Sequence, residues 1–241
     1  MDNSLNMPIK SKIIPFIPIL LLVSSIGISH GIYYWNIQPK QDRSNELKHM
    51  FQDYYLQKLN SFNDENKTLQ DVDVCCLGDS LTDGYDLNQY YPQFKMVNRG
   101  IGGDTTHGLK ARLKVSAYDA HPRVVTMLIG ANNFKTMLDD YEQIVVDLRT
   151  NLPNSSLVLL SLTSMTKEWG RNNEIAKKNN IEIKKYAEKY SCTYVDLFNP
   201  LLDSNTNELK EEYTTDGGHL TPLGYQVVTS VITPVLTELL K

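Results

Sequence analysis

From Asp71 onward, short runs of apolar and β-branched residues alternate with longer stretches whose apolar positions recur every three or four residues. Residues 72–77, 96–98, 124–129, 157–162 and 193–197 read as strands, each a compact β-rich run bounded by polar or turn residues. Between and after them, residues 104–117, 136–152, 171–190 and 222–240 carry helical spacing. In the last of these Val227, Val228, Val231, Val235 and Leu239 fall largely on one face. Strands that are apolar on both faces and alternate with helices imply a parallel sheet covered on both sides. Residues 71–241 therefore predict one three-layer α/β/α sandwich with a parallel sheet of about five strands. There is no internal repeat.

The first 70 residues have a different texture. Residues 13–35 are 23 positions without an acidic or basic side chain apart from His30. As a helix they would measure roughly 34 Å, enough to cross a hydrocarbon core of about 30 Å. Lys10 and Lys12 precede the run, and Tyr33, Tyr34 and Trp35 close it. Cations inside and an aromatic girdle opposite predict a hydrophobic anchor helix, N-terminus inside. Residues 1–35 thus read as a cytoplasmic stub and single-pass membrane anchor, with the rest of the chain outside the cytoplasm. The alternative is a signal peptide cleaved near residues 25–27, which gives a secreted protein with the same compartment. Residues 36–70 read as a polar linker with one amphipathic helix, capped by Ser44. Its stripe of Leu47, Met50, Phe51, Tyr54 and Leu59 is expected to pack on the following domain, with residues 60–68 as loop.

Composition narrows the function. Lys+Arg 24 against Asp+Glu 28 gives a net charge of −4, without the basic face that a nucleic-acid partner would require. Three cysteines are too few for a disulfide scaffold and wrongly spaced for zinc. Cys75 and Cys76 are neighbours in a strand, so they should face opposite sides as buried small hydrophobes.

In a parallel α/β fold the chemistry sits beyond the C-terminal ends of the strands. Four segments fall there. Gly78-Asp79-Ser80-Leu81 presents a serine at a helix start, where local amides favour negative charge; an Asp-Ser pair there also serves as a plain cap. Asn98-Arg99-Gly100-Ile101-Gly102-Gly103-Asp104-Thr105 is glycine-rich, but Thr105 stands where a dinucleotide fingerprint needs its third glycine. It serves either as a close-packed turn or as amide donors to an oxyanion. Gly130-Ala131-Asn132-Asn133 offers a carboxamide that caps the next helix or donates into the cleft. Asp216-Gly217-Gly218-His219 sets an acid three residues before a histidine, so that either the carboxylate holds one imidazole nitrogen while the other takes a proton, or Asp216 caps a turn and His219 is a surface residue. His30, His49, His107 and His121 have no such acidic partner, and only His107 is expected near the cleft.

Together, and in this order, the four segments resemble the SGNH hydrolase superfamily, in the GDSL esterase/lipase family. The resemblance runs from about Val72 to the C-terminus. The pattern Asn-x-Gly-Ile-Gly-Gly-Asp-Thr-Thr with Gly-Ala-Asn-Asn is similar to the platelet-activating-factor acetylhydrolase-like branch. Asn133 departs from the aspartate that many relatives carry. The resemblance implies a flavodoxin-like SGNH fold, Ser80 as nucleophile, and Asp216 and His219 as the rest of a triad. It also implies an oxyanion hole from the amides of Ser80 and Gly103 and the side chain of Asn132. An ester substrate (a small molecule, an acylated glycan or a lipid) would be hydrolysed through an acyl-enzyme with no metal or organic cofactor. The competing expectation is a catalytically weak surface binding module that keeps the fold.

Overall fold

The computed structural model describes residues 38–170 and 172–241, with side chains from residue 48 onward. The anchor expected over residues 13–35 lies outside the described residues. Among the described residues, no helix is long and apolar enough to cross a membrane.

By its internal contacts the chain divides into residues 1–53 and 54–241. Helix α1, Gln38–Asn66, runs through the boundary. In the first unit it exposes Met50 and Phe51, 65% and 61% accessible. In the second, β1 (Val74–Gly78) is followed by α2 (Ser80–Asp83), α3 (Leu87–Tyr90) and β2 (Met96–Gly100). Next come α4 (Thr106–Ala111), α5 (Leu113–Ser116), β3 (Val124–Leu128), α6 (Leu138–Asn151) and β4 (Ser156–Leu160). Helix α7 (Asn173–Lys189), β5 (Thr193–Val195) and α8 (Phe198–Leu201) lead to a small antiparallel pair, β6 (Leu202–Asp203) and β7 (Glu208–Leu209). The chain closes with α9, Pro222–Leu239, entered through the Thr221 cap and a proline in its first turn.

The five strands of the main sheet pair in parallel, as the alternation of strand and helix predicts, and their order is β2-β1-β3-β4-β5. Two apolar cores lie on the two faces of this sheet. Cys75, Leu77, Val125 and Met127 face one core with α4, α5, α6 and α7. Val74, Cys76, Val124 and Leu128 face the other with α2, α3 and α9. The adjacent cysteines do point to opposite faces, and burial pushes both thiols up to about 12.

Three expectations need correction. Residues 60–66 are helix, not loop, and Ser44 lies inside α1 rather than capping it. The helix continues because its far end is held. Phe62 is buried, Asn66 Nδ2 donates to Val115 O at 2.7 Å, and Glu65 pairs with the buried Arg99. The packing face of its second half is thus Tyr54, Tyr55, Lys58, Phe62 and Asn66, mostly polar, while Met50 and Phe51 of the expected stripe are exposed. Thirdly, the expected single helix over 104–117 breaks at Arg112, whose guanidinium turns inward and is fully buried.

Candidate active site

Strand β1 ends at Gly78 because nothing larger fits. A Cβ there would lie 2.0 Å from Thr82 Oγ1 and 2.5 Å from the Leu128 carbonyl. The tight turn that follows puts Asp79 at the helix cap, buried, with its carboxylate accepting from Leu81 N at 3.2 Å. Ser80 is then the first residue of α2 and half-buried.

The loop before α9 supplies its partners. Thr214 Oγ1 donates to the His219 carbonyl at 2.7 Å and accepts from Gly217 N at 2.9 Å, which folds the loop back on itself. Asp216 then uses its two oxygens differently. Oδ1 accepts from the backbone N–H groups of Gly218 (3.0 Å) and His219 (2.8 Å), while Oδ2 lies 2.6 Å from His219 Nδ1. Burial pushes the Asp216 carboxyl up, but the hydrogen bonds from the His219 ring and from the two amides outweigh it. Its pKa lies below the ordinary carboxylate value. An ionised carboxylate only accepts, so Nδ1 carries the proton and Nε2 is the acceptor in the neutral ring. His219 Nε2 lies 2.9 Å from Ser80 Oγ, which therefore donates to it. The Trp169 ring meets His219 edge-on, centroids 4.8 Å apart.

Ser80, Asn132 and His219 line one pocket with Ala131, Thr163, Met165 and Trp169. Gly103 does not line it but stands in the adjacent loop, with φ +79, a conformation that favours glycine. Asn132 joins that loop to the pocket, since its Nδ2 donates to the Asp104 carbonyl at 2.8 Å. It does not cap the next helix, which starts six residues later with no side-chain cap. Asn133 pairs with Thr106, Oδ1 accepting from its N–H (3.3 Å) and Nδ2 donating to its hydroxyl (2.8 Å). The cap of α4 is Thr105, while Asp104 turns inward to Arg112 Nε at 2.8 Å. His107 is exposed and faces Asp140 at 3.3 Å.

Arg112 escaped the sequence reading. It donates to the carbonyls of Arg99 (2.9 Å) and Gly78 (3.0 Å), tying together the ends of β2 and β1 on which the glycine loop and Ser80 stand. Its signal was an arginine between Leu109 and Leu113 on the apolar face of a helical stretch. Trp169 escaped too, because nothing local marks a loop tryptophan as neighbour to a distant histidine. Among the described residues no cluster of histidine, cysteine and acidic side chains is arranged to hold a metal ion.

The model of the GDSL-like lipase/acylhydrolase family matches residues 76–227, well over half of the chain. A Streptococcus pneumonia protein named after platelet activating factor has a similar structure, with 25% identity and a TM-score of 0.76. The match covers 81% of this chain and 99% of that one. A GDSL-like lipase from Bacteroides thetaiotaomicron aligns at 20% identity and TM-score 0.66, over 75% of this chain and 97% of its own. An acetyl-xylooligosaccharide esterase from Geobacillus matches at 18% identity and TM-score 0.57, over 70% and 96%. These last two likenesses speak to the fold alone. No curated protein sequence matches the chain.

Proposed function

The chain belongs to the GDSL-like lipase/acylhydrolase family and is a hydrolase acting on esters, and from that premise we propose that it works through Ser80 as nucleophile on short acyl esters, acetyl foremost. The observation that carries the proposal is the unbroken line Asp216 Oδ2, His219 Nδ1, His219 Nε2, Ser80 Oγ, with spacings of 2.6 and 2.9 Å. His219 Nε2 takes the hydroxyl proton as Ser80 Oγ attacks the ester carbonyl, and Asp216 stabilises the imidazolium that forms. The amides of Ser80 and Gly103 and the carboxamide of Asn132 stabilise the oxyanion. The alcohol leaves with the proton from His219, and water repeats the sequence on the acyl-enzyme.

The short-acyl choice rests on the pocket beside Ser80. Its free space is about 20 Å³, close to that of one water-sized group, and Met165 and Trp169 bound it. That suits a methyl, with Trp169 and Met165 as the walls a longer chain would meet first. The composition of residues 13–35 further supports an enzyme held outside the cytoplasm by a membrane anchor, acting on surface glycan, lipid or small-molecule esters.

A serine-reactive phosphonate tests the mechanism. It should abolish p-nitrophenyl acetate turnover and leave one adduct, on the peptide containing Ser80. Ser80→Ala should lose several orders of magnitude in kcat with an unchanged melting temperature. Turnover that survives the phosphonate, or an adduct elsewhere, would remove Ser80 from its role.

A further inference from the structure

Gly102 and Gly103 sit in a turn after β2 that Asp104 N closes on the Ile101 carbonyl at 3.1 Å, and where this turn aims its amides is set by what holds it from outside. The structure shows a tether on each side of Gly103. On its C-terminal side, Asn132 holds the Asp104 carbonyl at 2.8 Å. On its N-terminal side, Gly102 N donates to Asp83 Oδ2 at 2.9 Å. Asp83 is the last residue of α2, one helical turn from Ser80, and its side chain is only 16% exposed. The same carboxylate accepts from the Tyr54 hydroxyl at Oδ2 and from Lys58 Nζ, 2.8 Å from Oδ1, both on α1. Tyr54 also closes over the loop: a Cβ on Gly102 would lie 3.8 Å from its ring and 4.0 Å from Ser80 Cβ. Burial and the Asp83 carboxylate push the Tyr54 phenol up to about 12, so it stays protonated and a donor.

We propose that Asp83 is a positioning residue for the oxyanion side of the site: it pins the glycine loop to the helical turn that carries Ser80, and Tyr54 and Lys58 hold its carboxylate in place. The proposal rests on the reading of that loop as the oxyanion side of an esterase. A mere surface ion pair between Lys58 and Asp83 would be worth little and would leave catalysis untouched. A tether instead fixes where the Gly103 amide points before charge develops, so its loss falls on the transition state and not on substrate binding. The second half of α1 is then part of the catalytic architecture, although none of its side chains lines the pocket beside Ser80.

The test uses the full-length chain with p-nitrophenyl acetate, and phenylboronic acid as a probe that forms a tetrahedral adduct on serine. Asp83→Ala should lower kcat about 10–100-fold, short of the 10²–10³ for deleting a donor outright, with KM within about twofold. The inhibition constant for the boronate should rise by a similar factor. Asp83→Asn keeps an acceptor for Gly102 N and should restore most of the loss. Tyr54→Phe and Lys58→Met should each lower kcat about 2–10-fold at constant KM, as expected for loosening a tether rather than removing it. A wild-type kcat in Asp83→Ala, or a loss expressed only in KM, would overturn the proposal. So would a loss that follows the melting temperature and is no smaller in Asp83→Asn. Should Asp83→Ala fail to fold, wild-type kcat in both Tyr54→Phe and Lys58→Met overturns it equally. A wild-type enzyme indifferent to the boronate and to Ser80→Ala would sink the esterase reading and this proposal together. A sensitive wild type with an unaffected Asp83→Ala sinks this proposal alone.

Discussion

Asp216→Asn separates two tasks that the carboxylate performs with different oxygens. The carboxamide oxygen can still accept from the Gly218 and His219 backbone N–H groups, as Oδ1 does at 3.0 and 2.8 Å, so the loop should keep its shape. At the place of Oδ2, however, stands an NH₂ facing His219 Nδ1, where the native oxygen lies at 2.6 Å. Nδ1 must then accept, the ring proton moves to Nε2, and Ser80 Oγ at 2.9 Å loses its base. A wrong tautomer in intact geometry costs about 10⁴ in kcat for this arrangement, or about 5.5 kcal/mol of barrier. Asp216→Ala should lose a similar factor in kcat, but it also removes the acceptor for two amides. At about 0.5–1.5 kcal/mol per hydrogen bond, reduced by the exposure of this turn, the melting temperature should fall by about 2–4 °C in Ala and hold in Asn. The pH dependence has a definite sign. The folded carboxyl titrates below its ordinary value, so its ionised form stabilises the loop above the usual carboxylate range. That contribution disappears only as pH falls through the lower folded value. From about pH 5 upward Asp216 therefore stays ionised, so the loss in the Asn variant over that range does not arise from titration of this carboxyl. Steady-state hydrolysis of p-nitrophenyl acetate across pH, beside thermal unfolding, measures all of this. An Asn variant with more than a tenth of wild-type kcat would refute the assignment of Asp216 as the group that sets the tautomer.

Asn132→Ala should lower kcat by about 10²–10³-fold with KM nearly unchanged, because the donor acts only on developing charge and its loss also frees the Asp104 carbonyl; an unchanged kcat would take Asn132 out of the oxyanion hole. Trp169→Ala should shift the preference from acetate towards butyrate and longer p-nitrophenyl esters by about tenfold or more, within the range for space worth a methylene or two; an unaltered profile would show that another wall limits the acyl group. His219→Ala should be about as severe as Ser80→Ala, and the double variant little worse, whereas multiplying losses would mean that the two do not act as one unit. If residues 13–35 anchor the enzyme, activity should stay with membranes through a carbonate wash, and external protease should release an active fragment; recovery of a soluble form starting near Ile28 would show cleavage instead.

The positions of the strands along the chain, the two buried faces of the sheet and the four loops at its carboxyl end were legible in the sequence because each is a local pattern. A strand apolar on both faces declares its burial, and a serine, a glycine run, an asparagine or an Asp-x-x-His at its end needs no distant partner to be seen. What escaped are the places where a polar group of one segment meets the backbone of another. Helix α1 was cut short because its packing face presents Tyr55, Lys58 and Asn66 beside Phe62. Its partners are Arg99, Asp83 and two carbonyls rather than an apolar groove. The break at Arg112 was hidden for the same reason. A buried guanidinium is tolerable only with the Asp104 carboxylate and the Gly78 and Arg99 carbonyls around it, and these arrive from two other stretches of chain, the end of β1 and the glycine-rich segment.

Asn133 shows the converse, a departure from the family pattern that the contacts make harmless. Its oxygen accepts from Thr106 N–H and its nitrogen donates to the Thr106 hydroxyl. An aspartate in its place would accept from the same N–H, and the hydroxyl would simply turn to become a donor, since it carries both a proton and lone pairs. Either side chain ties the loop after β3 to the first turn of α4. Its neighbour Asn132, the proposed oxyanion donor, enjoys no such exchange. The Asp104 carbonyl needs an N–H donor, which a carboxylate lacks, and a second negative charge beside the oxyanion would raise the barrier it is meant to lower. Two adjacent asparagines thus differ in what their contacts require, and only the first is confined to asparagine by its chemistry.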